Sequence, residues 1–146
     1  MAASKSALEK RYYTVSEANA ALPLVGAIVR DIMELARDLR ERQGRLNRIP
    51  AGAQKQATDA YQEEIDHAQA DFERDQERLV EYEQELRNLG IELKDYFIGL
   101  IDFPCWIDNH EVYLCWKAGE PEVAFWHELD AGFPGRQPIR TDVSVN

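Results

Sequence analysis

From Leu22 to Leu89 apolar residues recur three and four positions apart, and the pattern breaks once, at Ile49-Pro50-Ala51-Gly52. A period near 3.6 commits a chain to amphipathic helix. The Pro-Ala-Gly after Ile49 stops one helix and turns the chain. The first helix is predicted over about 15–49. Thr14-Val15-Ser16-Glu17 opens it as a capping box, with Thr14 as N-cap and Glu17 at the third helical position. Its stripe runs through Leu22, Val25, Ile28, Val29, Ile32, Leu35, Ala36, Leu39, Leu46 and Ile49. Pro23 either ends a short first turn at Leu22 or sits inside a kinked continuous helix. The second helix is predicted over about 53–89, with Gly90 just past its end. Residues 65, 72, 79 and 86 fall seven apart, as do 68, 75, 82 and 89, a coiled-coil-like seam with Asp75 in it. A short connection between two long helices makes an antiparallel hairpin.

Charge supports that pairing. Glu17 to Ile49 holds six Arg and five acids, whereas Gln56 to Leu89 holds three Arg and eleven acids. Arg37, Arg40, Arg45 and Arg48 are therefore expected along the acidic partner helix. Two helices alone bury little, so the stripe calls for a further layer, either the C-terminal half or a second subunit. A homodimer through the hairpin is expected on this ground.

Beyond Gly90 the pattern changes to alternation. Ile91–Tyr96, Phe97–Ile107, His110–Lys117 and Pro121–His127 are predicted strands, the last three separated by two-residue turns at Asp108-Asn109 and Ala118-Gly119. The fold class is α+β: the long hairpin, then a small antiparallel meander over about 91–127 and a Gly/Pro-rich loop. The 146 residues make one domain. Within it, 14–90 is the hairpin, 91–138 the sheet and loop, and 139–146 a tail.

If both turns hold two residues, Ile107 faces His110 and Lys117 faces Glu120, and alternation sorts the side chains. One face carries Phe103, Cys105, Ile107, Val112, Leu114, Trp116, Val123, Phe125 and His127, a core face ending in a histidine. The other carries Asp102, Pro104, Trp106, Glu111, Tyr113, Cys115, Glu122, Ala124 and Trp126. This second face is too apolar for plain solvent and too acidic for a core. Either the helices or a second subunit cover it, or it is a ligand site with aromatic walls and carboxylate anchors. A one-residue slip would exchange the faces. Cys105 and Cys115 fall on opposite faces, which argues against a disulfide or a shared metal.

The best acid–histidine cluster is Trp126-His127-Glu128-Leu129-Asp130 together with Asp102 and Glu120. Imidazole and carboxylate can act as base and acid or bind zinc or iron. His127, Glu128 and Asp102 are candidate catalytic groups, and His127 and Glu128 candidate metal ligands. The plainer alternative makes His127 a hydrogen-bonded structural residue. Arg136, in the Gly132–Pro138 loop, either forks an anionic ligand or pairs with Asp102 or Glu120. Glu120, Trp116, Trp126 and Lys94 complete the candidate ligand contacts. Glu64-Ile65-Asp66-His67 has the Glu-x-x-His spacing of a di-iron helix, but a di-iron centre needs a second copy. It is read as solvated surface. No spacing identifies a cofactor, and catalysis is left open.

A net charge of −10 argues against general binding of nucleic acid. Only the basic tip, Arg40, Arg42, Arg45, Arg48 and Lys55, offers it a surface. A protein partner or a small acidic ligand fits better. No apolar run approaches the roughly 18 residues of a membrane span. The opening MAASKSALEK has no apolar signal core, so a cytoplasmic protein with reduced thiols is expected.

Certain segments carry a likeness to a known family: Ser16-Glu17-Ala18-Asn19 with Leu22-Pro23, Lys94-Asp95, and Gly99-Leu100-Ile101-Asp102-Phe103-Pro104. They continue with Leu114-Cys115-Trp116, Gly119-Glu120, Trp126-His127-Glu128, Gly132-Phe133 and Gly135-Arg136-Gln137-Pro138. From about Tyr13 to Pro138 the chain resembles the bacterial "domain of unknown function 2203" family. The resemblance implies no mechanism. It implies that sheet and loop, rather than the long helices, carry the family's signature. Two readings follow. The first is a binding or assembly protein, dimeric through its hairpin. The second is a small enzyme or metalloprotein with its site around Asp102, Glu120, His127, Glu128 and Arg136.

Overall fold

A computed structural model describes residues 10–50 and 58–140. Helix α1 (Val15–Asn47) and helix α2 (Asp59–Asn88) form the antiparallel hairpin. A five-stranded antiparallel sheet follows, with strands in sequence order: β1 (Glu92–Asp95), β2 (Leu100–Ile107), β3 (His110–Lys117), β4 (Phe125–Glu128) and β5 (Gln137–Pro138). A short 3₁₀ turn, Phe133–Gly135, joins β4 to β5. The arrangement is α+β.

Thr14 caps α1 as its sequence predicts. The Thr14 hydroxyl accepts from the Glu17 amide at 3.0 Å, and the Thr14 amide donates to the Glu17 carboxylate at 2.9 Å. Pro23 lies inside an unbroken helix of 33 residues, about 50 Å long at about 1.5 Å per residue. Helix α2 begins at Asp59 with Thr58 as N-cap. The earlier part of its predicted span, with Lys55 of the basic tip, lies outside the described residues, as does most of the predicted tail.

The first half of α1 lies on the sheet. Val25, Val29 and Ile32 join Ile101, Phe103, Leu114 and Trp116 in one buried core. Tyr13 closes its end: the Tyr13 ring meets Phe103 edge-on at 5.1 Å, and its hydroxyl donates to the Leu89 carbonyl at 2.5 Å. Helix α2 covers less, and only Ile65 and Leu86 are fully buried on it. The expected cross-helix arginines are mostly occupied elsewhere. Arg37 donates to the Phe97 carbonyl at 2.9 Å, Arg40 stacks on the Phe97 ring, and Arg45 pairs with Glu41 on its own helix. Among the described residues the ion pair that crosses the hairpin is Arg42–Asp75, at 2.5 Å.

Two strand boundaries differ from expectation, each for a local reason. The second strand starts at Leu100 rather than Phe97 because Asp95 folds the chain into a turn. Its carboxylate accepts from the amides of Phe97 (2.8 Å) and Ile98 (3.1 Å), the usual Asp-turn chemistry. Gly99 ends that turn at φ +68°, and a Cβ there would stand 2.6 Å from the Met33 sulfur and 2.7 Å from Ala118 Cβ. The β2–β3 hairpin has the predicted register, Ile107 opposite His110. Asp108 and Asn109 both take positive φ, 51° and 62°, as this two-residue turn requires.

The second difference moves a site. Strand β4 runs Phe125–Glu128, and Tyr113 pairs with His127. The Lys117–Glu120 register would have set His127 opposite His110 instead. Glu120 closes a tight turn, its amide donating to the Lys117 carbonyl at 3.0 Å and its carboxylate accepting from the Lys117 amide at 2.8 Å. Pro121 has no N–H to continue a ladder. Val123 is then captured by α1, its amide donating to Asn19 Oδ1 at 2.7 Å. Residues 121–124 therefore leave the sheet, and the slip is odd. An odd slip exchanges the faces, so Phe125 and His127 join Asp102 and Cys115 while Trp126 turns to the helix side.

Candidate functional site

The outer face of the sheet gathers polar groups from four strands. Glu92 on β1 sits opposite Asp102 on β2, Asp102 opposite Cys115 on β3, and Cys115 opposite Phe125 on β4, with His127 two residues further along. Asp102 and His127 are each only 2% exposed. His127 Nε2 stands 3.0 Å from Asp102 Oδ2, and His127 Nδ1 stands 2.6 Å from the Glu128 carbonyl. A carbonyl can only accept, so Nδ1 carries a proton and donates it there. That bond fixes the ring and aims Nε2 at Asp102.

Asp102 Oδ1 is buried and takes no hydrogen bond of ordinary geometry, although the Cys115 thiol lies close enough to favour its charged form. Burial pushes the Asp102 carboxyl above its usual range, with His127 opposing. Burial, reinforced by the Asp102 charge, pushes the Cys115 thiol up to about 12. Such a thiol is no ready nucleophile near neutral pH. One oxygen of Asp102, one nitrogen of His127 and the Cys115 sulfur all lie within 4.8 Å of one another.

Charged and aromatic groups surround the cluster. Tyr113 packs beside the His127 ring at 5.5 Å, and its hydroxyl donates to Glu92 at 2.5 Å. Lys94 pairs with Glu92 at 2.9 Å. Arg136 pairs with Glu120, lies 3.8 Å over the Phe125 ring, and points Nη1 at the Cys115 sulfur at 3.9 Å. The Arg136–Glu120 alternative is thus the one adopted, and the Gly/Pro loop is pinned by it.

Other candidates go elsewhere. Glu128 pairs with His110 at 2.5 Å, away from His127. Trp126 sits opposite Leu114 and packs against the core. Glu64 and His67 are exposed on α2. Of the basic tip, Arg42 and Arg45 are held in ion pairs and Arg40 is stacked. Cys105 lies on the helix-facing side, and both thiols are free. The alternation puts Cys115 on the face of Asp102, as found, but His127 on the opposite one, so the three-residue cluster was missed. Pro121 was the available signal, because a proline directly after a turn disfavours a strand starting there.

Trp116 and Glu120 line a concavity on the other side of the sheet. It is an open groove of about 770 Å³ between α1 and the β3–β4 connection. Leu22, Pro23, Ala27 and Met33 form one wall, with Trp116, Ala118 and Pro121 opposite. The Trp116 indole N–H donates to the Glu120 carbonyl at 3.0 Å, which sets its ring against the Gly26 backbone. Arg30 stands at the edge, its guanidinium without an ion pair or hydrogen bond among the described residues. Glu120 thus links the groove, through its backbone, to the buried cluster, through Arg136.

The family model described as an uncharacterized conserved protein (DUF2203) matches residues 11–139. The chain belongs to the DUF2203 family. The match spans α1 through β5, so hairpin, sheet and pinned loop are all parts of the DUF2203 unit. No curated protein and no solved structure matches the chain. Among the described residues no helix is long and apolar enough to cross a membrane.

Proposed function

We propose that this DUF2203 chain is a binding protein whose groove beneath α1 takes a small carboxylate with an apolar body. The observation that carries this reading is an unpaired guanidinium, Arg30, beside an apolar floor of Trp116, Pro23, Ala27 and Met33. Pockets that are largely apolar with a few placed polar groups are the usual small-molecule sites, and arginine forks a carboxylate through two parallel bonds. The lining contains no histidine, cysteine or hydroxyl, and one of its two carboxylates, Glu120, is held by Arg136, which supports binding over catalysis there. Anilinonaphthalene sulfonate, an anionic aromatic probe, tests the groove when displaced by a panel of aryl and alkyl carboxylates. Saturable binding to the native chain, weakened by Arg30→Gln and blocked by Gly26→Leu, is the expected result. Equal binding by both variants removes the reading.

Assembly through the hairpin is a second reading, favoured by Val80, which is 64% exposed in the last third of α2. A native mass spectrum tests it. A homodimer that Val80→Lys dissociates supports the reading, and a monomer at high micromolar concentration ends it.

A further inference from the structure

We propose that Asp102, Cys115 and His127 form a binding site for one divalent transition-metal ion of the zinc class. None of the three donors lines the groove, so either proposal can fail alone.

The donors are a carboxylate oxygen, a sulfur and an imidazole nitrogen, each from a different strand of one rigid sheet. Mixed N, S and O donors suit zinc, iron or cobalt rather than magnesium or calcium, which take oxygen. All three donors lie within 4.8 Å of one another. Two oxygen or nitrogen donors about 2.0–2.2 Å from zinc at a tetrahedral angle stand about 3.4 Å apart. The 3.0 Å Asp102–His127 pair has only to open by a few tenths of an ångström, and the sulfur to close by rotation of a short side chain.

Two further observations point to a ligand rather than to a plain buried pair. Asp102 is 2% exposed, yet its Oδ1 takes no hydrogen bond of ordinary geometry, with only the Cys115 thiol lying near the carboxylate to favour its charge. Buried carboxylate oxygens are normally satisfied, so an orphan calls for an explanation such as an ion. The His127 Nδ1–H is tied to a backbone carbonyl, the outer bond that metal-binding imidazoles usually make to direct the other nitrogen. Arg136, directed at the Cys115 sulfur at 3.9 Å, is placed to donate to that sulfur once it becomes a thiolate.

Binding balances in charge. The ion displaces the thiol proton of Cys115 and the proton shared between Asp102 and His127. Two protons leave, and metal–sulfur, metal–oxygen and metal–nitrogen bonds form. A dication with one carboxylate, one thiolate and a neutral imidazole is net neutral, which suits a buried site. Three protein ligands leave zinc's fourth position open for water or an exogenous ligand.

The test uses the full chain, stripped with chelator and then reloaded with zinc(II) or cobalt(II) alone. One zinc retained per chain after dialysis is expected, with a thiolate-to-cobalt charge-transfer band in the near ultraviolet for the cobalt form. Cys115→Ser should abolish the band, and Cys105→Ser should leave it. Asp102→Asn should weaken zinc binding by more than the roughly 10–100-fold that loss of an outer hydrogen bond costs. Failure of the native chain to take up either ion overturns the proposal, whatever the variants do. So does a band that survives Cys115→Ser, because the other thiol, Cys105, would then hold the ion. If Cys115→Ser does not fold, Cys115→Ala and Asp102→Asn give the same reading.

Discussion

Arg42 of α1 and Asp75 of α2 meet at 2.5 Å across the hairpin, where Asp75 occupies a position of the apolar seam. The same aspartate also takes Arg78 at 3.1 Å, and Arg42 reaches Asp38 at 3.0 Å. A seam carboxylate is thus held between two guanidinium groups.

This network predicts an acid-sensitive hairpin. The Arg42 hydrogen bond, against a smaller opposing effect of burial, holds the Asp75 carboxyl below its usual range. A lowered folded-state value means that the contribution is present above the unfolded value, near 4, and is lost as pH falls through the folded value. Partly exposed pairs contribute about 1 kcal/mol or less. Thermal melts should lose stability below about pH 4, and Asp75→Asn should be less stable at pH 7 with a shallower acid decline. Equal acid slopes for the two chains would show that the pair contributes nothing.

Gly99→Ala is expected to destabilise by about 2 kcal/mol or more, through a strained positive φ and overpacking. The new methyl would meet Met33, Val29 and Ala118 all within 2.8 Å. Urea unfolding should show a lower midpoint with an unchanged slope, whereas Gly119→Ala, which meets nothing within 4 Å, pays only the backbone strain.

Asn19→Ala should cost about 1–3 kcal/mol, since it leaves a part-buried Val123 amide without its acceptor. Hydrogen exchange offers the more specific readout. Protection of the Val123 amide should fall sharply, and protection in β2 should not.

His127→Leu alone should destabilise strongly, by about 3 kcal/mol or more, because Asp102 is left buried without its partner. Asp102→Leu with His127→Leu should cost less than the two single changes added together. Additive denaturation energies would mean that the pair is not coupled.

Neither thiol should react with an alkylating reagent near neutral pH in the folded chain, and both should react on unfolding. Burial raises Cys105 to about 11, and burial with Asp102 raises Cys115 to about 12. Fast labelling of native Cys115 would contradict the buried cluster.

Helices and hairpin turns were legible because their signals are local. The Thr14–Glu17 box, the stripe through Ile32 and Leu39, and Asp108-Asn109 each act within a few residues of themselves. The composition of the polar cluster was half legible. Asp102 and His127 stood out, but the alternation that sorted them onto opposite faces assumed that Glu120 begins a strand. What shifts the register is partly local, Pro121 after the Glu120 turn, and partly a contact 104 residues away, Asn19 holding Val123. No periodicity encodes such a contact. Arg136 is the opposite case, since its pairing with Glu120 was one of two readings the loop already offered.

Pro23 removes one rung from the hydrogen-bond ladder of α1, at the wall of the groove. Below it the helix is clamped to the sheet by Val25, Val29 and Ile32. Arg37 and Arg40 extend the clamp to Phe97, and beyond Arg40 the helix continues for about 10 Å at about 1.5 Å per residue beside α2. The softest turn of α1 therefore lies in the groove wall itself, on the near side of the clamp, so the spacing between Leu22 and Trp116 can adjust while the rest of the hairpin stays fixed to the sheet.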